Sequence, residues 1–156
     1  MTVDRFVIEN SVAVERGPLV YALKIEEKWE KVPLEPSEHK GEYYWQVTAA
    51  GLWNYAFPFK AFEQPEEHFT VTVDDGKLMS DWSQEAAPVT ITADAGVVEE
   101  WHMYNGDTGP LPFTARRNRA QGGKSSLVPD ETLRRIELIP YGCTTLRITE
   151  FPLITR

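Results

Sequence analysis

Cysteine is almost absent: Cys143 stands alone in 156 residues. A single thiol excludes an internal disulfide, and it cannot supply the several ligands of a thiolate zinc site. Long apolar runs are also missing. No stretch reaches the about eighteen nonpolar residues that a membrane-spanning helix needs, so no membrane partner is expected. Positive charge is scarce, with 16 Lys and Arg against 24 Asp and Glu, a formal net charge of −8. That balance argues against nucleic acid as a partner and favours solubility. The three histidines, His39, His68 and His102, are scattered, and no two sit at ligand spacing. They are expected as surface or capping residues, with no metal. GxGxxG, Walker, HExxH and GxSxG patterns are absent, and there is no internal repeat. Met1-Thr2-Val3-Asp4-Arg5 shows neither the charged start nor the apolar block of a signal peptide, and the compartment stays open.

What is present is strand-forming sequence. From Ser11, Val12 and Val14 alternate with Ala13 and Glu15, the period of a half-buried strand. Arg16-Gly17-Pro18 interrupts, because proline gives no N–H to a ladder, and a bend or bulge is expected. Leu19 to Leu23 then runs on as a nearly continuous apolar strand. Residues 26–40 are charged and hold Pro33 and Pro36, which reads as a surface connection. Residues 43–48, 52–57, 69–73 and 88–93 follow as aromatic or β-branched strands. Asp74-Asp75-Gly76 is expected as a hairpin turn. Residues 133–139 and 145–151 close the fold. Apolar spacing at the helical period never lasts beyond about two turns. The expected architecture is all-β: one antiparallel β-sandwich over 1–156, jelly-roll-like, with roughly eight to eleven strands and little helix. Val12, Val14, Leu19, Tyr21, Val71, Val73, Ile91, Leu138, Leu146 and Ile148 form its expected core.

Candidate chemistry is sparse. Two carboxylates can cleave a glycoside when they flank the bond about 5–10 Å apart. Glu26-Glu27, Glu66-Glu67, Asp74-Asp75 and Glu99-Glu100 are adjacent pairs, but neighbours on a strand point to opposite faces. Cys143 follows Gly142 in a turn with no cationic neighbour in sequence, which suits a small packed residue. Asn105-Gly106-Asp107 has too few carboxylates for calcium. The aromatics carry more. Sugars stack their C–H faces on flat rings, and Trp29, Trp82 and Tyr104 lie near loops, so these three are the candidate carbohydrate-binding residues. Trp45, Trp53 and Trp101 lie in strand-like runs and are expected in the core. Residues 104–131 form a long irregular loop, and connections of this length are often functional. In it Pro110 and Pro112 are stiff, while Arg116, Arg117 and Arg119 cluster positive charge suited to carboxylates on a partner. That loop is expected to dock on a missing domain or on a second copy of the chain.

Four blocks carry a resemblance: RGPLVYAL at 16–23, Glu26-Glu27-Lys28-Trp29, Trp53-Asn54-Tyr55, and LIPYGCTTLRITEFP at 138–152. In this order they resemble the tail of a bacterial family, the β-L-arabinofuranosidase-like glycoside hydrolases, long described as a domain of unknown function. The resemblance implies a β-sandwich that follows an (α/α)6 catalytic barrel. That family's nucleophile is a cysteine in a cysteine- and glutamate-rich zinc site within the barrel, and nothing in this sequence matches it. The chain is therefore expected to be a non-catalytic accessory domain without cofactor, packed against a catalytic barrel. The implied ligand is a plant-type arabinose-containing saccharide. A free-standing carbohydrate-binding module, or a purely structural assembly domain, is the alternative.

Overall fold

A computed structural model describes residues 2–6, 11–35, 41–98, 101, 103–104, 107–108 and 132–154. In chain order the elements are β1 (Thr2–Phe6), β2 (Ser11–Arg16), β3 (Leu19–Leu23), β4 (Glu27–Pro33), β5 (Tyr43–Ala49), β6 (Tyr55–Pro58), α1 (Phe59–Glu63), α2 (Pro65–His68), β7 (Thr70–Val73), β8 (Val89–Val97), β9 (Met103–Tyr104), β10 (Asp107–Thr108), β11 (Arg134–Pro140) and β12 (Glu150–Ile154). The fold is all-β, and the described residues hold two α-helices of a turn or so. The expected separation into two sheets of a sandwich or jelly roll is not what the pairing shows. β2, β12, β6, β8, β11 and β3 pair in turn, and β3 pairs back to β2, so six strands close into a barrel. All seams of the ring are antiparallel except β12 with β6.

Closure depends on β2. β1 occupies one of its edges along residues 11–15. β12 and β3 divide the opposite edge, pairing with residues 11–13 and 14–16 respectively. Gly17-Pro18 makes this geometry: it is a two-residue hairpin turn, with Arg16 opposite Leu19, and not the expected bend. Gly17 sits at φ +57, a left-handed conformation that glycine adopts without strain, and the proline ring fixes the residue after it.

The barrel interior follows from strand alternation. In β8, Val89, Ile91, Ala93 and Ala95 point inward while Thr90, Thr92 and Asp94 lie half-buried on the outside. Val12, Val14, Tyr21, Leu23, Leu138, Phe151 and Leu153 complete the core, with the Phe57 ring tilted against Phe151 at 4.9 Å and edge-on to Phe69 at 5.1 Å between centres. Each such side chain contributes about 1.5–3 kcal/mol on burial. Of the expected core, Leu19, Val71, Leu146 and Ile148 pack only partly buried. Val73 is exposed, because it ends β7, a strand paired among the described residues on the β8 side only.

Two further readings change. Residues 26–40 hold a strand: β4 pairs with β5 over seven registered positions, from Glu27 opposite Ala49 to Pro33 opposite Tyr43. Among the described residues this ribbon pairs with no barrel strand. Asp74-Asp75-Gly76 is not a hairpin turn. Asp74 accepts a hydrogen bond from the Gly76 amide at 3.1 Å and caps a 3-10 turn over Asp75–Lys77. That turn opens an excursion, residues 74–88, between the paired ends Val73 and Val89.

Candidate functional site

The 74–88 excursion folds on itself through short polar side chains. Ser80 Oγ donates to the Ala86 carbonyl at 2.9 Å and accepts from the Trp82 amide at 3.4 Å. Ser83 Oγ accepts from the Ala86 amide at 3.3 Å. Gln84 Nε2 donates to the Ile25 carbonyl, which pins the excursion beside the start of β4. These bonds hold Trp82 at φ +52. A bulky residue rarely sits there, and such strain of about 1–3 kcal/mol persists where the surroundings dictate it, often at binding sites. The Trp82 ring packs over Ala87, Ile139 and Cys143, and its Nε1 donates to the Leu78 carbonyl at 3.3 Å.

Trp82 and Gly142 line two adjacent clefts. One, of about 430 Å³, is apolar and is walled by Pro18, Leu19, Pro140 and Tyr141. The other, of about 350 Å³, is polar and holds Glu27, Trp29, Gln84, Glu85 and Thr144. RGPLVYAL supplies one wall of the first, IPYGCTT supplies residues to both, and the block ending in Trp29 lines the second. Three of the four resemblance blocks thus meet at one tryptophan from an unrelated excursion.

Glu27 positions this arrangement. Its Oε2 accepts from Trp29 Nε1 at 3.0 Å, and its Oε1 accepts from the Thr145 and Leu146 amides at 3.3 and 3.4 Å. The carboxylate therefore joins the ribbon to the loop after β11. Beyond Trp29, strand alternation puts Lys31, Tyr43 and Trp45 on the same face. Trp29 and Trp45 meet edge-on at 6.1 Å, and Tyr43 meets Trp45 edge-on at 5.9 Å. Trp29 and Trp45 are each 50% exposed. Trp45 was expected in the core, but its strand belongs to the ribbon and not to the barrel. Trp53 and Trp101 do pack inward, edge-on at 4.9 Å.

Other candidates fall away from this chemistry. Cys143 is buried against Ala87 and Ile139, and burial first, then the charge of Asp81, pushes its thiol pKa up. A thiol so placed is a packed residue, as its sequence context suggested. His68 Nε2 lies 2.9 Å from the Asp94 carbonyl oxygen and ties α2 to β8. Among the described residues no group of three or more His, Cys, Asp or Glu is placed to hold a metal.

Of the sequence candidates, Trp29 and Trp82 come together on one cleft. Tyr104 falls in β9, and its side chain lies outside the described residues. Pro110, Pro112, Arg116, Arg117 and Arg119 also lie outside them. Glu27, Gln84, Tyr43, Trp45 and Tyr141 were missed. Tyr43 and Trp45 had a signal, since an aromatic strand beside a charged, proline-bearing partner suits a surface ribbon. Glu27 meets its amide partners across more than a hundred residues, and no local pattern marks it. Family models, curated proteins and solved structures give no match to this chain.

Proposed function

We propose that this chain is a non-catalytic domain that holds a saccharide at the Trp82 clefts, as an accessory part of a β-L-arabinofuranosidase-like glycoside hydrolase. The observation that carries the reading is the meeting of Trp29 and Trp82, half-exposed or partly exposed rings from distant segments, across a polar cleft. Flat rings take the apolar faces of a sugar. Gln84, Glu85, Ser83 and Thr145 line the same cleft and suit its hydroxyls, and a mostly preformed cleft with few placed polar groups is the usual form of a small-ligand site. Trp82, fixed by the bonds of its own excursion, needs little ordering on binding.

The test is a titration of arabino-oligosaccharides followed by tryptophan fluorescence, on the native chain and on Trp82→Ala and Trp29→Ala. Binding that falls at least about tenfold in each variant is the expected result, in line with the loss of a buried aromatic anchor. Equal binding by all three chains would remove the cleft from the argument. A second reading is docking against a catalytic barrel, and the ribbon favours it. β4 and β5 pair only with each other among the described residues and leave Tyr44 exposed on the face opposite Trp45. A two-stranded ribbon of this kind is stabilised by packing against something else.

A further inference from the structure

The charges around the clefts narrow the class of saccharide, and this inference rests on the reading above. Among the described residues, Lys24, Lys28, Lys77 and Arg135 pair with carboxylates. Lys31 and Arg147 do not, and neither do Arg16, Lys60 and Arg134; Lys31 and Arg147 are set apart by the aromatic rings that hold them. The Lys31 ammonium lies 4.4 Å from the centre of the Tyr43 ring and 5.2 Å from that of Trp45. The Arg147 guanidinium lies 4.7 Å over the Tyr141 ring, with Nη1 donating to the Tyr141 hydroxyl at 3.2 Å and Nε to the Thr144 carbonyl at 3.4 Å. An aromatic face fixes a cation without neutralising it, so both remain free to meet an anion.

Their places matter. Lys31 stands on the ribbon face that continues from Trp29 and the polar cleft. Arg147 stands on Tyr141, which walls the apolar cleft. In a chain of net charge −8, two unneutralised cations therefore sit beside the two clefts that share Trp82. The nearer carboxylate, Glu27, is already engaged by Trp29 and two amides. Glu85 lines the polar cleft and is exposed, which suits hydroxyls there and not a second carboxylate.

We propose that the ligand is an acidic saccharide. A neutral residue lies in the polar cleft between Trp29 and Trp82, and uronate carboxylates reach Lys31 on the ribbon and Arg147 beside Tyr141. The ammonium pairs as a point charge, while the guanidinium fork matches a carboxylate.

The experiment is isothermal titration calorimetry on the full chain. The probes are a panel of uronate-containing oligosaccharides, each beside its carboxyl-reduced form, with polyglutamate as a third kind of anion. Thermal melts check that Lys31→Gln and Arg147→Gln remain folded. The expected result is a preference of about tenfold for the uronate forms, shrinking as salt rises. Lys31→Gln should lose at least about half of that preference and leave binding of the reduced forms unchanged. Equal binding of uronate and reduced forms would overturn the charge assignment and leave the saccharide reading standing. Polyglutamate binding as tightly as the uronates would overturn the assignment to a sugar. No binding by any saccharide would overturn both.

Discussion

Tyr21 is wholly buried in β3, opposite Val14 and Pro140, and its hydroxyl has no hydrogen-bond partner among the described residues. Burial raises its pKa, and the nearby Arg16 guanidinium opposes this with its charge, although the geometry falls short of a hydrogen bond. The Cys143 thiol is raised too, by burial first and then by Asp81. Both groups are thus held protonated in the fold. A raised folded-state pKa contributes stability that is fully present below the unfolded value and lost as pH rises through the folded value. The loss belongs to the alkaline side, above about pH 8.5 for the thiol and about pH 10 for the phenol. Melting midpoints should therefore hold steady near neutrality and fall above those values. Tyr21→Phe removes an unbonded hydroxyl and keeps the ring, so at about pH 7 its midpoint should match or exceed the native one, within about 1 kcal/mol. Above about pH 10 the variant should fall less steeply. A Tyr21→Phe midpoint far below the native one at neutral pH would mean that the hydroxyl is bonded after all.

The β4–β5 ribbon is the element whose stability differs most from the rest. At its base, the Ala50 amide donates to the Glu26 carbonyl at 2.7 Å, and Glu27 fastens it to the loop after β11. Toward its tip it has its own ladder, ending with the Leu34 amide to the Glu42 carbonyl at 3.1 Å. Native-state hydrogen exchange should show faster exchange for the ladder amides around Lys31 and Trp45 than for Ile91, Ile136 or Leu138. Glu27→Ala should speed the ribbon further and leave the barrel amides unchanged. Equal protection of ribbon and barrel would show that the two form one cooperative unit. The ribbon also marks where the sequence stopped being legible. β8 announced itself because one face of it is apolar and the other is not. β4 did not, because Trp29, Lys31 and Pro33 share a face without sharing a polarity, and both faces meet water. Gly17-Pro18 hid a hairpin for a related reason, since the apolar run after it looked like a continuation of the same strand. At the site, Trp29 and Trp82 were readable as large rings near loops. Their meeting was not, because it depends on a strained excursion between β7 and β8 that no periodicity encodes.

At the scale of the molecule, closure separates this fold from the two-sheet sandwich that the strand density suggested. Alternation specifies which residues face inward, and it does so equally for a sandwich and for a barrel. What it does not specify is which strand completes the circuit. Here β12 lies between β2 and β6 and makes the single parallel seam of the ring, with Leu153 opposite Phe57 and Ile154 opposite Pro58. It also places Phe151 and Leu153 in the core, both fully buried. A chain ending at Thr149 would lose two seams at once and expose the wall against which Phe57 packs. Loss of one large buried side chain costs about 2–5 kcal/mol, and a domain of this size has about 5–15 kcal/mol in total. Removing two of them together with the ladder hydrogen bonds should leave no cooperative fold. The expected outcome is a flat near-ultraviolet circular dichroism spectrum and no thermal transition for the shortened chain. Phe151→Ala in the full chain should keep a transition at a lower midpoint. A sharp transition in the shortened chain would show that β2, β3, β11, β8 and β6 form a stable open sheet without the closing strand.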